Sequence, residues 1–588
     1  MIVKMSKVTV LASNSDIDRS LIKLRKFGLL HIKHINPPSG ENVARLEKDL
    51  EDTGRVISML SGKSREGESL PFEAAEIMVK DALHILFERK QLLSRKEEVE
   101  RKLSWFEDWG EISYGPLKEL SRAGVFLKLY IVNKKEFKSL PSDKPVFLIK
   151  RERGRFYIVF VALDKEESLE FEEVLFPDQD SFSLKKELKK INSWLENISL
   201  NLDFLSSYRG SFEKYRKTVS QQLEFFKVRS GMAKEEGFCY IQGFLPKEGI
   251  PDLKKLVKKE GLALLSEEPG DVSEVPTFIR SPRWVNIIKP VFQFMGTVPG
   301  YNEYDISGWF LAFLSLFFAL LIGDAGYGLI FFMLTFIARR AFKTAPQDVF
   351  SLMYVFSLST VAWGAVSGTW FGAEQIAKLP FFNHLIIERI NSFAASNQGF
   401  MIYLCFLIGV IHLSIAHGIA AFRYINSRIA LGQIGWISVL WGLFFVAGKL
   451  VLNRPLPCIT MGLIVTGIIM VMLFSAEGSL KKSLLSLSDL PLKVISSFSD
   501  IVSYIRLFAV GYATVIVASS FNNMAFSIGG SALLKGFIAA IILFLGHSLN
   551  IVLGLMAIIV HGIRLNMLEF SGRLNMQWSG KKYAPFKE

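Results

Sequence analysis

From Trp309 onward the sequence is built around apolar stretches that recur at about the 20 residues needed to cross a ~30 Å hydrocarbon layer. That pattern commits the second half to membrane helices, because a backbone in lipid must satisfy its own hydrogen bonds. Residues 1 to about 300 differ: they are rich in Lys and Glu and read as soluble protein. The N-terminus, Met-Ile-Val-Lys-Met-Ser-Lys, has no apolar core followed by a small-residue cleavage site, so the charged first half is expected to stay in the cytoplasm. The formal charge of +13 does not call for nucleic acid, since lysines and arginines flanking membrane segments account for much of it. Cys239, Cys405 and Cys458 are far apart and imply no disulfide framework.

Candidate spans lie near 308–322, 325–340, 351–372, 399–422, 431–450, 457–475, 496–521 and 534–569. The first two are separated only by Gly323-Asp324-Ala325-Gly326, so one long helix and seven spans is the competing count. Charge decides for eight. With a cytoplasmic N-terminus, the inside segments hold twelve cations: Arg339, Arg340, Lys343, Arg423, Arg428, Lys481, Lys482, Lys493, Arg573, Lys581, Lys582 and Lys587. The outside loops hold five: Lys378, Arg389, Lys449, Arg454 and Lys535. The last segment is too long to cross upright and is expected to tilt or to extend beyond the bilayer.

Two residues violate this apolar pattern. Arg506 lies inside the run Val494–Ala518, and Arg564 repeats the anomaly in the last segment. A guanidinium is permanently charged, and a mid-membrane position costs roughly 2.5–3.5 kcal/mol on the insertion scale. Packing does not require such residues, so both point to an ion path. Ser499, Ser503 and Arg506 share a helical face, whereas Asp500 lies roughly 240° around the helix from Arg506 and is not expected to be its direct partner. Asp324 reads as a cap for the second short helix, with ion relay as the other reading. His547 and His561 suit either polar groups along an ion path or interhelical hydrogen bonds. Glu569, at the helix end, reads as interfacial.

The soluble half begins as strand, helix, strand over 2–12, 16–28 and 29–36. Helical stretches follow at 41–60 and 72–108, and strands are expected at 125–132 and 156–161. Leu184, Leu188, Ile191, Leu195, Ile198, Leu202 and Leu205 then alternate by four and three, a coiled-coil seam. One extra step of three leads to Tyr208, Phe212, Tyr215 and Val219, a stammer that overwinds the coil. The expected architecture is mainly α. A cytoplasmic domain, 1–290, contains a proximal α/β lobe (1–40 and 237–275), an antiparallel coiled-coil arm (41–110 and 180–230) and a distal α/β lobe (111–179). A polytopic ion-translocating membrane domain occupies 291–588.

Several ordered motifs in the second half resemble the membrane stator subunit of V-type and archaeal-type rotary ATPases, called subunit a or subunit I, with bacterial members nearest in length. They are Pro299-Gly-Tyr-Asn-Glu-Tyr-Asp305, the run Gly323-Asp324-Ala-Gly326-Tyr327-Gly328, Trp363–Gly372, Ser503-Tyr-Ile-Arg506-Leu, Gly546-His547 with Asn550, His561-Gly-Ile-Arg564-Leu, Glu569-Phe570 and Pro585-Phe586. Thr514 and Gly554 stand where some members carry a His and a Glu. The resemblance implies a multi-pass plasma-membrane protein whose two termini are cytoplasmic. Arg506 would face the carboxylates of a rotating proteolipid ring, subunit K or c, with Arg564 as the second cation of the barrier. Ser499, Asp500, Ser503, His547, Asn550, His561 and Glu569 would be candidates for the half-channels. The implied partners are that ring, peripheral-stalk subunits E and G, central-stalk subunit d or C, and lipid, with H⁺ or Na⁺ as the cargo.

No cofactor or metal site is expected, and no nucleotide chemistry: at Gly62-Lys63-Ser64 the first glycine of a P-loop is replaced by Ile57. A stand-alone secondary transporter should show matched repeats with broken helices, and none is visible. A membrane-anchored scaffold would leave Arg506 and Arg564 unexplained.

Overall fold

The computed structural model describes residues 1–60, 70–111, 114–140, 144–152, 154–177, 179–342, 345–474, 489–528 and 532–588. The P-loop comparison at 62–64 and the inside cations Lys343, Lys481 and Lys482 fall outside these residues. The chain is mainly helical and forms two compact units: 1–10, 29–31 and 243–585 in one, and 11–28, 32–242 and 586–588 in the other.

Strand β1 (Met5–Ser13), helix α1 (Ile17–Phe27) and strand β2 (His31–Lys33) give the expected start, with the second strand shorter than its 29–36 pattern. Gly28 ends α1 in the left-handed region and returns its N–H to Leu24 O. The sheet takes the order β2-β8-β1-β9, where β8 is Phe238–Pro246 and β9 is Ala263–Glu267; β7 (Ala233–Lys234) pairs with β8.

Helices α2 (Glu41–Met59), α3 (Phe72–Trp109), α4 (Ser181–Ser206) and α5 (Arg209–Ser230) carry the heptad pattern. Leu184, Ile191, Ile198 and Leu205, one per heptad, are buried. Leu184 and Ile191 pack with Val99 and Phe106, while Leu205 joins Val79 and Ala82. Rising numbers on α4 meet falling numbers on α3, so the two run antiparallel. Arg95 binds Glu187 at 2.7 Å across the pair, and Lys227 binds Glu47 at 2.6 Å between α5 and α2. At the three-residue step the helix tightens: the N–H groups of Ser207, Tyr208 and Ser211 bond to carbonyls three residues back. Beyond α3 lies a four-stranded sheet in the order β4-β5-β3-β6, formed by β3 (Phe126–Asn133), β4 (Val146–Glu152), β5 (Arg155–Ala162) and β6 (Glu173–Val174). Tyr130, Val132, Phe156, Ile158 and Phe160 fill its buried face.

The apolar helices are α6 (Ser307–Ile322), α7 (Ala325–Ala341), α8 (Gln347–Ser367), α9 (Gln398–Arg423), α10 (Ile429–Leu452), α11 (Ile459–Phe474), α12 (Leu490–Ser503), α13 (Ile505–Phe526) and α14 (Ala532–Ala557). Five stretches among the described residues are long and apolar enough to cross a membrane: Gln347–Ser367, Ala395–Arg423, Ile429–Leu452, Leu490–Phe526 and Leu533–Arg573. Ser307–Ile322 and Ile459–Phe474 are shorter apolar helices. Helix α6 is buried nearly all round and forms the centre of the core, which suits its uniformly apolar sequence.

Gly323, at φ 69°, ends α6, and Asp324 caps α7. A continuous helix would hold Phe318 and Phe331 roughly 20 Å apart, at 1.5 Å per residue. Their ring centroids are 6.0 Å apart, so the chain folds back at the break. The glycines that follow let neighbours close in: a Cβ at Gly326 would fall 2.6 Å from the Phe371 ring, and one at Gly328 2.8 Å from Val361.

Candidate functional site

Helices α12 and α13 are one apolar run broken at Tyr504. Leu507 N–H bonds Tyr504 O three residues back, so the Ser503 carbonyl is released from the α-helical ladder. Arg506 Nε donates to that carbonyl at 2.9 Å, which fixes the guanidinium at the break. Its Nη2 donates to Glu569 Oε1 at 2.8 Å. Ser503 Oγ lies 3.4 Å from the same oxygen.

Glu569 and Arg564 come from the continuation of α14, which passes through two π-helical stretches, Ile558–Gly562 and Leu565–Phe570. In an α-helix residues five apart lie roughly 140° around the axis from each other, but a π turn closes its hydrogen bond at i→i+5 and stacks them. Arg564 Nε accordingly stands 3.8 Å from Glu569 Oε1. Glu569 is 6% exposed, Arg506 23% and Arg564 54%. The wide turns rotate Glu569 inward between the two cations. Its Oε2 has no hydrogen-bond partner among the described residues. One carboxylate thus faces two guanidiniums, and breaking a buried pair of this kind costs about 3–5 kcal/mol.

Asp500 binds Arg573, on the turn after the π stretches, and not Arg506. His561 lies within electrostatic range of both Arg506 and Arg564. Ser499 is exposed.

His547 and Asn550, on α14, form a second polar group. His547 Nδ1 hydrogen-bonds Tyr327 OH at 2.7 Å, and its Nε2 lies 3.2 Å from Asn522 Oδ1. Asn550 Nδ2 donates to Tyr327 OH at 3.0 Å and to Thr514 O at 2.8 Å. The network is self-consistent with the His547 proton on Nε2 and Tyr327 OH donating to Nδ1. From His547 to Arg564 the last helix rises roughly 25 Å at 1.5 Å per residue, so its polar positions extend over most of a bilayer. Asp324 belongs to neither group. It is 2% exposed and accepts backbone N–H bonds from Gly326, Tyr327, Phe371 and Gly372 at 2.8–3.2 Å.

The sequence reading missed a histidine. His412, on α9, is fully buried, stacked between the rings of Phe313 and Phe570 at 3.9 and 4.4 Å, with Nδ1 2.7 Å from Tyr504 OH. It supports the residue at which the helix breaks beside Arg506. The signal was available, because an ionisable side chain in an apolar run of that length is costly. Between α6, α9 and α13 lies a small cavity of about 30 Å³, lined by Asn391, Asn397, Gln398, Tyr512, Cys405 and Leu507.

No family model matches the chain. A protein from Borreliella burgdorferi named V-type ATP synthase subunit I is 32% identical over 612 residues, covering 100% of both chains. V-type ATP synthase subunit I 1 from Treponema pallidum is 28% identical, again over 100% of both. A-type ATP synthase subunit I from Methanocaldococcus jannaschii is 26% identical over 70% of this chain and 64% of its own. A solved structure of the cytoplasmic N-terminal domain of subunit I, homolog of subunit a, of V-ATPase is 14% identical with a TM-score of 0.24, over 44% of this chain and 99% of that one.

Proposed function

Because the chain belongs to the subunit I family of V-type and A-type ATP synthases, we propose that it is the membrane stator of a rotary ATPase, carrying the half-channels and the essential arginine, Arg506, beside a rotating proteolipid ring. The observation that carries this reading is the guanidinium of Arg506, held at a helix break against a buried carboxylate and 23% exposed. A side chain so placed can meet a passing carboxylate and favour its ionised form, and its permanent charge blocks direct ion passage. The cavity lined by Asn391, Asn397 and Tyr512 suits the half-channel on one side. The polar positions of the last helix suit the approach to Arg506. Nucleotide hydrolysis is assigned to other subunits, and the antiparallel helices α2–α5 to an arm that binds peripheral-stalk subunits E and G. The ring, subunit K or c, and central-stalk subunit d or C complete the proposed partners.

The eight-span count gains support from the chain ends. Pro276 and Thr277, ahead of α6, pair in parallel with Lys581 and Lys582, beyond the last helix. Gln577 N–H donates to Glu303 Oε1 at 2.6 Å, and the Met1 amine binds Asp305. Segments on either side of the bundle that pair directly share one side of a membrane, which requires an even number of crossings. Lysines and arginines then make that side cytoplasmic, in the plasma membrane of a bacterium.

Two measurements test the reading. ATP-driven ion uptake by vesicles holding the assembled complex should depend on Arg506. Thiol labelling should give opposite sides for the two ends of α10. Cys458 is exposed whereas Cys239 and Cys405 are buried, so an impermeant reagent should label Cys458 from the non-cytoplasmic side. In a Cys458→Ser chain, Asn426→Cys should be protected until the membrane is opened. Labelling of position 426 from outside would refute the eight-span topology.

A further inference from the structure

Resting on the reading of Arg506 above, we infer that Glu569 is an exchangeable counter-ion, which neutralises Arg506 between encounters and passes to Arg564 when Arg506 engages a carboxylate from outside the chain. Three observations meet at this point. The Oε1 atom of Glu569 is already shared, 2.8 Å from Arg506 Nη2 and 3.8 Å from Arg564 Nε. Its Oε2 is buried without a hydrogen-bond partner among the described residues, so one face of the carboxylate is open to a new donor. Arg564, at 54% exposure, has room to close the remaining gap, and the π turn from Leu565 to Phe570 keeps the two residues on one face.

The charges require such a partner. If Arg506 left Glu569 for an external carboxylate and nothing replaced it, a carboxylate at 6% exposure would stand alone. That cost would oppose every encounter and hold Arg506 at home. With Arg564 alongside, the triad keeps one guanidinium on Glu569 throughout, and Arg506 is free to bind and release. No proton moves in this exchange. Arg564 therefore acts as a positioning residue: it receives the carboxylate that Arg506 gives up. His561, near both arginines, adds no competing negative charge, and Asp500 is occupied by Arg573.

A suppressor experiment in the reconstituted complex tests this. Arg564→Gln should lower ATP-driven ion uptake by at least about tenfold, because Glu569 then has no second partner and holds Arg506. Adding Glu569→Gln should restore uptake by at least about threefold over Arg564→Gln alone, because the trap is removed. Glu569→Gln alone should match the double variant. A double variant no better than Arg564→Gln would overturn the exchange. If Arg564→Gln does not assemble, Arg564→Lys replaces it. An ammonium can still receive the carboxylate, so uptake should persist, and a fall to the level of Arg506→Gln would overturn the inference. Arg506→Gln separates the two claims. Normal uptake in that variant defeats the stator reading itself, whereas its loss together with an unsuppressed Arg564→Gln defeats only the exchange.

Discussion

Arg506→Gln is expected to abolish ATP-driven ion uptake by the assembled complex, a loss of at least about a hundredfold, while the chain still assembles. Glutamine can keep one hydrogen bond, to Ser503 O or to Glu569 Oε1, but it carries no charge. Glu569 would not be stranded, because Arg564 Nε is already 3.8 Å from it. The fold should therefore tolerate the change better than transport does. Arg506→Lys should also fail, although it keeps the charge. The native side chain uses Nε for Ser503 O and Nη2 for Glu569 Oε1, two separate donors of one rigid planar group. A single ammonium cannot fill both positions. Uptake at the native rate with Arg506→Gln, at matched complex content, would remove the ground for the whole functional reading.

Asp324→Ala is expected to produce the largest loss of stability, about 4 kcal/mol or more, because four buried N–H donors lose their acceptor together. Three of them, from Gly326, Tyr327 and Phe371, converge on Oδ1, and the fourth, from Gly372, meets Oδ2. That asymmetry makes Asp324→Asn informative. An asparagine oxygen at the Oδ1 position keeps three bonds, while its amide group would point a donor at the Gly372 N–H. The asparagine variant should melt between the native protein and the alanine variant in detergent, and equal melting of the two variants would contradict the geometry. The predicted effect is on folding. An aspartate that relayed ions would instead lose transport without loss of stability.

The elements legible in the sequence are those set by periodicity. Apolar runs of about 20 residues gave helices at each predicted segment. The four-three alternation from Leu184 to Leu205 placed one buried residue per heptad, and the extra step of three fell where the hydrogen bonds tighten. Arg506 and Arg564 stood out because a fixed charge in an apolar run has few bland explanations. The pairing of Glu569 with both arginines was not legible, for a definite reason. Ideal α-helical geometry separates 564 from 569 around the axis, and π turns carry no sequence signature that would reunite them. The Asp500–Arg573 pair joins residues on either side of several helices, which spacing along the chain cannot reveal. The ionisable group of His412 in an apolar helix was readable, and only its partner, Tyr504, required the fold.

The pairing of Pro276 and Thr277 with Lys581 and Lys582 also fixes an order of events during synthesis. The ribosome makes the first strand of that pair roughly 300 residues before the second, and all the apolar helices emerge between them. Tyr583, whose ring packs at a tilt against Phe278 with centroids 4.9 Å apart and joins the cluster of Met5, Phe244 and Val275, arrives with the second strand. The part of the protein begun first is thus completed last, after insertion has finished. Long-range closure of this kind is slow, and until it happens an apolar patch stays uncovered. A nascent chain halted before Lys581 should accordingly remain open to protease near Phe278, and sealing of that site would report that every preceding helix had been threaded.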